Sequence, residues 1–108
     1  MNKLPLFGLS IISDSKTNVV KSLTEAVQNE QKAFVATVNP KHIMQMDKQT
    51  DFINVLNKAT HLVPDGMGIM KASELFQMPL AEKIPGIELM QDLLAFANET
   101  KRKVYLLG

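Results

Sequence analysis

Two short polar clusters, each closing an apolar run, hold the side chains best suited to chemistry. The first is Thr37-Val38-Asn39-Pro40 and the second is Val63-Pro64-Asp65-Gly66-Met67-Gly68. Asp65 lies in a tight turn between an apolar run and a helical pattern. An aspartate is ordinarily a carboxylate at neutral pH, so it can accept a proton as a hydroxyl attacks. A base so positioned typically contributes about a hundredfold to ten-thousandfold in rate. Thr37 and Asn39 offer a hydroxyl and an amide that can hydrogen-bond a sugar or a phosphate. Gly66 and Gly68 allow a ligand to approach the backbone. A helix starting at Pro40 adds free N–H groups suited to an anion. Each of these residues also has a plainer role. Asp65 and Asn39 are favoured helix caps, and Thr37 is an ordinary strand-end residue. Spacing alone leaves both roles open.

The remaining chemistry-bearing residues say less. His61 lies inside an apolar run and reads as structural. His42, in the first turn after Pro40, faces either the crevice or solvent. No pair of histidines and carboxylates has metal-ligand spacing, so no structural metal is expected, and no cofactor is assigned. The seven methionines fall mostly at core-facing helical positions and read as packing.

These clusters need elements to hold them. Pro5 to Ile12 reads as a first strand. Val19, Val20, Leu23, Ala26 and Val27 then recur at helical spacing from Lys16 to about Asn29. Ala33 to Val38 reads as a buried parallel strand. Asn39-Pro40 starts a helix with Ile43, Met44 and Met46 on one face, and Thr50-Asp51 starts another with Phe52, Val55 and Leu56. Thr60 to Val63 is a third strand, and a helix follows from Gly68 to Phe76. The stretch from Gln77 to Gly86, with two prolines, reads as a loop. Ile87 to Asn98 is an amphipathic helix, and Val104 to Leu107 is a fourth strand. Alternating strands and helices predict one α/β domain over residues 1–108, a Rossmann-like parallel sheet covered by helices. In such sheets ligands bind at the carboxyl ends of the strands, where both polar clusters fall. A strand closing on Gly108 looks like a fold cut after its fourth strand, so the chain reads as the N-terminal part of a longer one.

Bulk properties narrow the function. At 108 residues and a net charge of +1, the chain has no electrostatic case for a nucleic-acid partner. Arg102 is its single arginine, so the guanidinium forks that clamp diphosphates are scarce. Without cysteine there is no disulfide, thiolate metal site or cysteine nucleophile. The apolar start, Leu4 to Ile12, is too short to span a bilayer and lacks a signal-peptide pattern, which makes a cytoplasmic location the expectation.

The motifs Thr37-x-Asn39, Val63-Pro64-Asp65-Gly66-x-Gly68, Lys83-Ile84-x-Gly86-Ile87-Glu88-Leu89 and Val104-Tyr105-Leu106-Leu107-Gly108 resemble the WecG/TagA/CpsF family over essentially the whole chain. These are bacterial glycosyltransferases of teichoic acid, enterobacterial common antigen and capsule synthesis. The resemblance implies inverting transfer of N-acetylmannosamine, or its uronic acid, from a UDP donor to undecaprenyl-diphosphate-linked N-acetylglucosamine, without a metal. It implies Asp65 as catalytic base and Thr37, Asn39, Gly66, Gly68, Lys83, Gly86 and Glu88 as substrate-binding residues. It also implies work at the inner face of the membrane, with peripheral contact through a basic C-terminal part beyond this sequence. Lys83, Pro85 and Glu88 stand where members often carry Arg, Thr or Ala, and Asp. The alternatives are a non-catalytic nucleotide-sugar-binding or oligomerising fragment and, at greater distance, a flavodoxin-like module. A sheet cut short exposes apolar faces, so a homo-oligomer is a further expectation.

Overall fold

A computed structural model describes residues 1–39, 41 and 50–107. The helix expected from Pro40 through Met46, and with it His42, lies outside the described residues apart from Lys41, which is helical. The elements whose bounds fall within the described residues are, in order, β1 (Lys3–Leu6), β2 (Leu9–Ile12), α1 (Lys16–Gln28), β3 (Val35–Val38), α2 (Thr50–Asn57), β4 (His61–Pro64), α3 (Met67–Leu75) and α4 (Gly86–Glu99). The chain is α/β, as its pattern predicts.

Two strand expectations are corrected. Pro5 to Ile12 is not one strand, because Phe7 (φ +55°) and Gly8 (φ +75°) break it into an antiparallel hairpin, with Leu6 opposite Leu9 and Lys3 opposite Ile12. Left-handed backbone at both turn residues matches the twist of the flanking strands, which is why such two-residue turns close hairpins. Val104 to Leu107 is not a strand among the described residues either. Past the end of α4 the chain runs on without ladder partners, and Tyr105, Leu106 and Leu107 are exposed. Four apolar residues do not hold strand geometry without a neighbour to accept their hydrogen bonds. The single parallel sheet is therefore two smaller ones: the β1–β2 hairpin and a parallel β3–β4 pair.

The β3–β4 pair runs in register from Val35 opposite His61 to Val38 opposite Pro64, and β2 lies beside β4. Side chains alternate across a strand, and the two apolar clusters follow that alternation. Ile12 and Val63 join Val19 and Leu23 of α1 and Leu89 of α4 on one face. The adjacent residues Ile11 and Leu62 join Leu56 of α2 and Ile69 of α3 on the other. Helices thus cover both faces, and all four residues of β4 are buried.

The helices start where the sequence supplies a reason. Ser15 caps α1, its hydroxyl accepting from the Asn18 N–H at 3.2 Å. Gly66 (φ +92°) turns the chain from β4 into α3 through a region that a side chain would disfavour. His61 belongs to the structure, as its setting in an apolar run suggests. It is 8% exposed, with Nε2 3.0 Å from the Ser22 hydroxyl on α1 and Nδ1 2.8 Å from the Thr60 hydroxyl. Burial, with the charge of Lys3 adding to it, lowers its pKa from the ordinary value.

That depression sets a pH dependence. The unfolded chain takes up the imidazole proton near pH 6.5 and the folded chain only at lower pH. The contribution of His61 is therefore complete above about pH 6.5 and declines as pH falls through the lowered value. Thermal unfolding between pH 7.5 and 5.5 should show a loss of stability that His61→Gln reduces. Parallel profiles for the two proteins would refute the assignment.

Candidate active site

The parallel register delivers both polar clusters to one edge. Thr37 is the third residue of β3 and faces Val63, so its side chain leaves the sheet near the carboxyl ends. Asp65 follows β4 directly. Its N–H donates to the Val38 carbonyl at 2.9 Å, which carries the pairing one residue past the strand and fixes where its carboxylate departs. Both residues are half-buried, as is Asn39 just after β3. Among the described residues no hydrogen bond or ion pair engages the Asp65 carboxylate.

The third part comes from the loop ahead of α4. The Ile84 N–H donates to the Pro64 carbonyl at 2.7 Å, pinning the loop to the end of β4. Two residues later Gly86 opens α4 against the strand ends. A Cβ at Gly86 would sit 2.9 Å from Thr37 Cγ2 and 4.0 Å from Asp65 Oδ2. Contact at 2.9 Å is below any normal carbon–carbon approach, so only glycine allows this fit. Thr37, Asp65 and Gly86, drawn from three separate elements, are thereby brought into one small space.

Two helix N-termini flank that space. Gly66 precedes α3 and Pro85 precedes α4, and neither start has a side-chain cap. Their first N–H groups carry partial positive charge and no intrahelical partner, which suits an anionic ligand. Gly68, in the first turn of α3, is exposed. Lys83 is exposed in the loop ahead of α4. Glu88 is exposed in the first turn of α4, where its carboxylate lies 4.0 Å from Lys16 Nζ, and Asp92 approaches the same ammonium at 3.4 Å. Below Thr37 and Gly86 lies an apolar cavity of about 360 Å³ walled by Val35, by Leu89 and Leu93 of α4, and by Val104 and Leu106.

Pattern reading does not single out the residues that fasten the loop. The Ala81 N–H donates to Ser13 Oγ at 2.9 Å, the Leu80 N–H to Ser73 Oγ at 3.1 Å, and the Lys16 N–H to the Glu82 carboxylate. Isolated serines carry no signal of such pairings 68 and 7 residues away in sequence.

A carboxylate at the strand ends of an α/β fold, between two uncapped helix N-termini, lies at the edge where open α/β sheets bind their ligands. Residues 4–108 match the Glycosyl transferase WecG/TagA/CpsF family, and the chain belongs to it. Similar proteins are the N-acetylglucosaminyldiphosphoundecaprenol N-acetyl-beta-D-mannosaminyltransferases of Staphylococcus aureus strains NCTC 8325 / PS 47, COL and MRSA252. Each is 32% identical over an alignment of 108 positions, with 98% of this chain and 42% of the relative covered. The chain thus spans less than half the length of these relatives.

The close fit at Gly86 can be tested by itself. Gly86→Ala forces the first turn of α4 away from Thr37 and should cost about 1–3 kcal/mol, as overpacking does. Thr37→Ser removes the methyl that collides, so the double variant should recover a large part of that loss. Denaturant unfolding of the four proteins measures the coupling. Strictly additive losses would show that the two side chains do not meet.

Proposed function

We propose that this chain is the base-bearing part of an inverting glycosyltransferase that moves N-acetylmannosamine from a UDP donor to undecaprenyl-diphosphate-linked N-acetylglucosamine in teichoic acid synthesis. The observation that carries this reading is the meeting of Asp65, Thr37 and Gly86 between two uncapped helix N-termini. Membership of a glycosyltransferase family and the activity for which its relatives are named support the reaction.

The chemistry follows from the parts. An acceptor hydroxyl placed against Asp65 gives its proton to the carboxylate while its oxygen attacks the anomeric carbon of the donor. The bond from that carbon to the diphosphate oxygen breaks on the opposite face, so the configuration inverts and UDP leaves as the anion. Helix N-termini stabilise that growing charge without reorganising, which is where fixed dipoles act most strongly in catalysis. Thr37 and Asn39 hydrogen-bond the sugar. Gly66, Gly68 and Gly86 allow the backbone to approach it. Lys83 contributes a mobile positive charge, and Glu88 lies at the outer rim. Lysine keeps the charge of arginine but loses its bidentate fork, so diphosphate recognition falls more heavily on backbone groups.

The side-by-side strands β2, β4 and β3, with helices on both faces, support a Rossmann-like arrangement around this edge. Among the described residues no helix is long and apolar enough to cross a membrane. A lipid-linked acceptor therefore calls for peripheral contact at the inner face of the membrane. The exposed Ile87 and Met90 on α4 and the exposed 104–107 segment offer apolar surface for that contact or for a second copy of the chain.

Asp65→Asn in the full-length protein is the test. It keeps the shape and the turn while removing the base, so transfer should fall by about a hundredfold to ten-thousandfold with melting temperature and donor affinity near those of the parent. Turnover within a few-fold of the parent would eliminate Asp65 as the base. Saturable binding of UDP-N-acetylmannosamine by the 108-residue chain, without transfer, would mark it as the binding part alone.

A further inference from the structure

We propose that Ser13 and Ser73 are positioning residues, whose hydroxyls fasten the 77–85 loop as a strap across the strand ends and so set how well the site is formed before a donor binds. The inference rests on the proposed glycosyltransfer, since it concerns the same pocket. Neither serine is expected to touch substrate.

The strap makes a series of attachments in chain order. Leu80 donates to Ser73 Oγ, Ala81 to Ser13 Oγ at the end of β2, the Glu82 carboxylate accepts from the Lys16 N–H, and Ile84 donates to Pro64 at the end of β4. Gly86 then arrives against Thr37 on β3. The strap therefore visits β2, β4 and β3, and its far end is the glycine that closes the pocket. Ser73 is fully buried and doubly engaged, since its hydroxyl donates to the Met70 carbonyl at 2.6 Å while accepting from Leu80. A buried hydroxyl satisfied in both roles holds one geometry. The exposed attachments of Lys16 to Glu88 and Asp92 are weaker clasps, because water screens them.

A loosened strap leaves Gly86 in place for a smaller fraction of the time. Apparent donor affinity falls by that fraction, whereas turnover at saturation is largely kept because bound donor selects the closed arrangement. The effect belongs in Kd and KM rather than in kcat.

The experiment uses the full-length protein with Ser13→Ala, Ser13→Thr, Ser73→Ala and Asp65→Asn. Titration with UDP-N-acetylmannosamine, kcat and amide hydrogen exchange are read on each. Ser13→Ala should raise the donor Kd about three- to tenfold, the range expected for loss of one hydrogen bond, with kcat changed less than twofold. Exchange should quicken through residues 82–87 and not only at Ala81. Ser13→Thr keeps the hydroxyl and should restore both readings. Ser73→Ala should act in the same direction, and it decides the matter if Ser13→Ala folds poorly. An unchanged donor Kd in both alanine variants, or faster exchange confined to the amide that lost its partner, overturns the proposal. Full turnover by Asp65→Asn would sink the base reading while leaving the Ser13 result intact. If the parent binds no UDP-sugar, the functional reading fails, and the spread of exchange alone judges the strap.

Discussion

The site depends first on the register of β3 against β4. Side chains alternate along a strand, so a slip of one residue would send Thr37 to the opposite face and bury a different set of apolar residues. The core prevents this slip. Leu62 and Val63 point to opposite clusters, and each cluster is closed by helices whose apolar stripes match only one face. Parallel pairing then places the ends of both strands at one edge, with Asp65 bonded back to Val38 as the last rung. Packing sets the register, and the register sets the geometry available for chemistry.

The glycine at the start of α4 shows how that geometry is completed. Helix N-termini attract anions wherever they occur, so an uncapped one is weak evidence of a site. Here the helix arrives so close to a strand that no side chain fits at the point of contact. The same approach brings its free N–H groups near Asp65. Apolar contacts of Leu89 with the α1 face hold the other end of the first turn, so the approach is supported by buried surface as well as by loop attachments.

Much of this was legible in the residues. Helical spacing located α1, α2, α3 and α4 within a residue or two, and the apolar runs at Val35 and His61 found the parallel pair. Thr37 and Asp65 stood out because their types suit both strand-end turns and chemistry, Gly86 entered only through the family resemblance, and the fold brings the three together. The hairpin at Phe7-Gly8 was missed because continuous apolar character hides a tight turn, and Phe7 is not a residue that announces left-handed backbone. Val104 to Leu107 has strand composition, yet composition does not provide a ladder partner. The serine attachments were illegible for a different reason: a hydroxyl meeting a backbone N–H far along the chain leaves no periodic trace.

The β1–β2 hairpin carries a consequence for how this sheet can grow. β2 lies beside β4 and pairs with the antiparallel β1, so the hairpin occupies that flank. Along β3 the described residues supply a hydrogen-bonded neighbour only through β4. A strand added to the parallel pair at β3, from this chain or from another, would extend it along an edge that is otherwise unpaired among the described residues. It would enter next to Thr37 and over the apolar cavity, making sheet extension and the shaping of the pocket wall a single event.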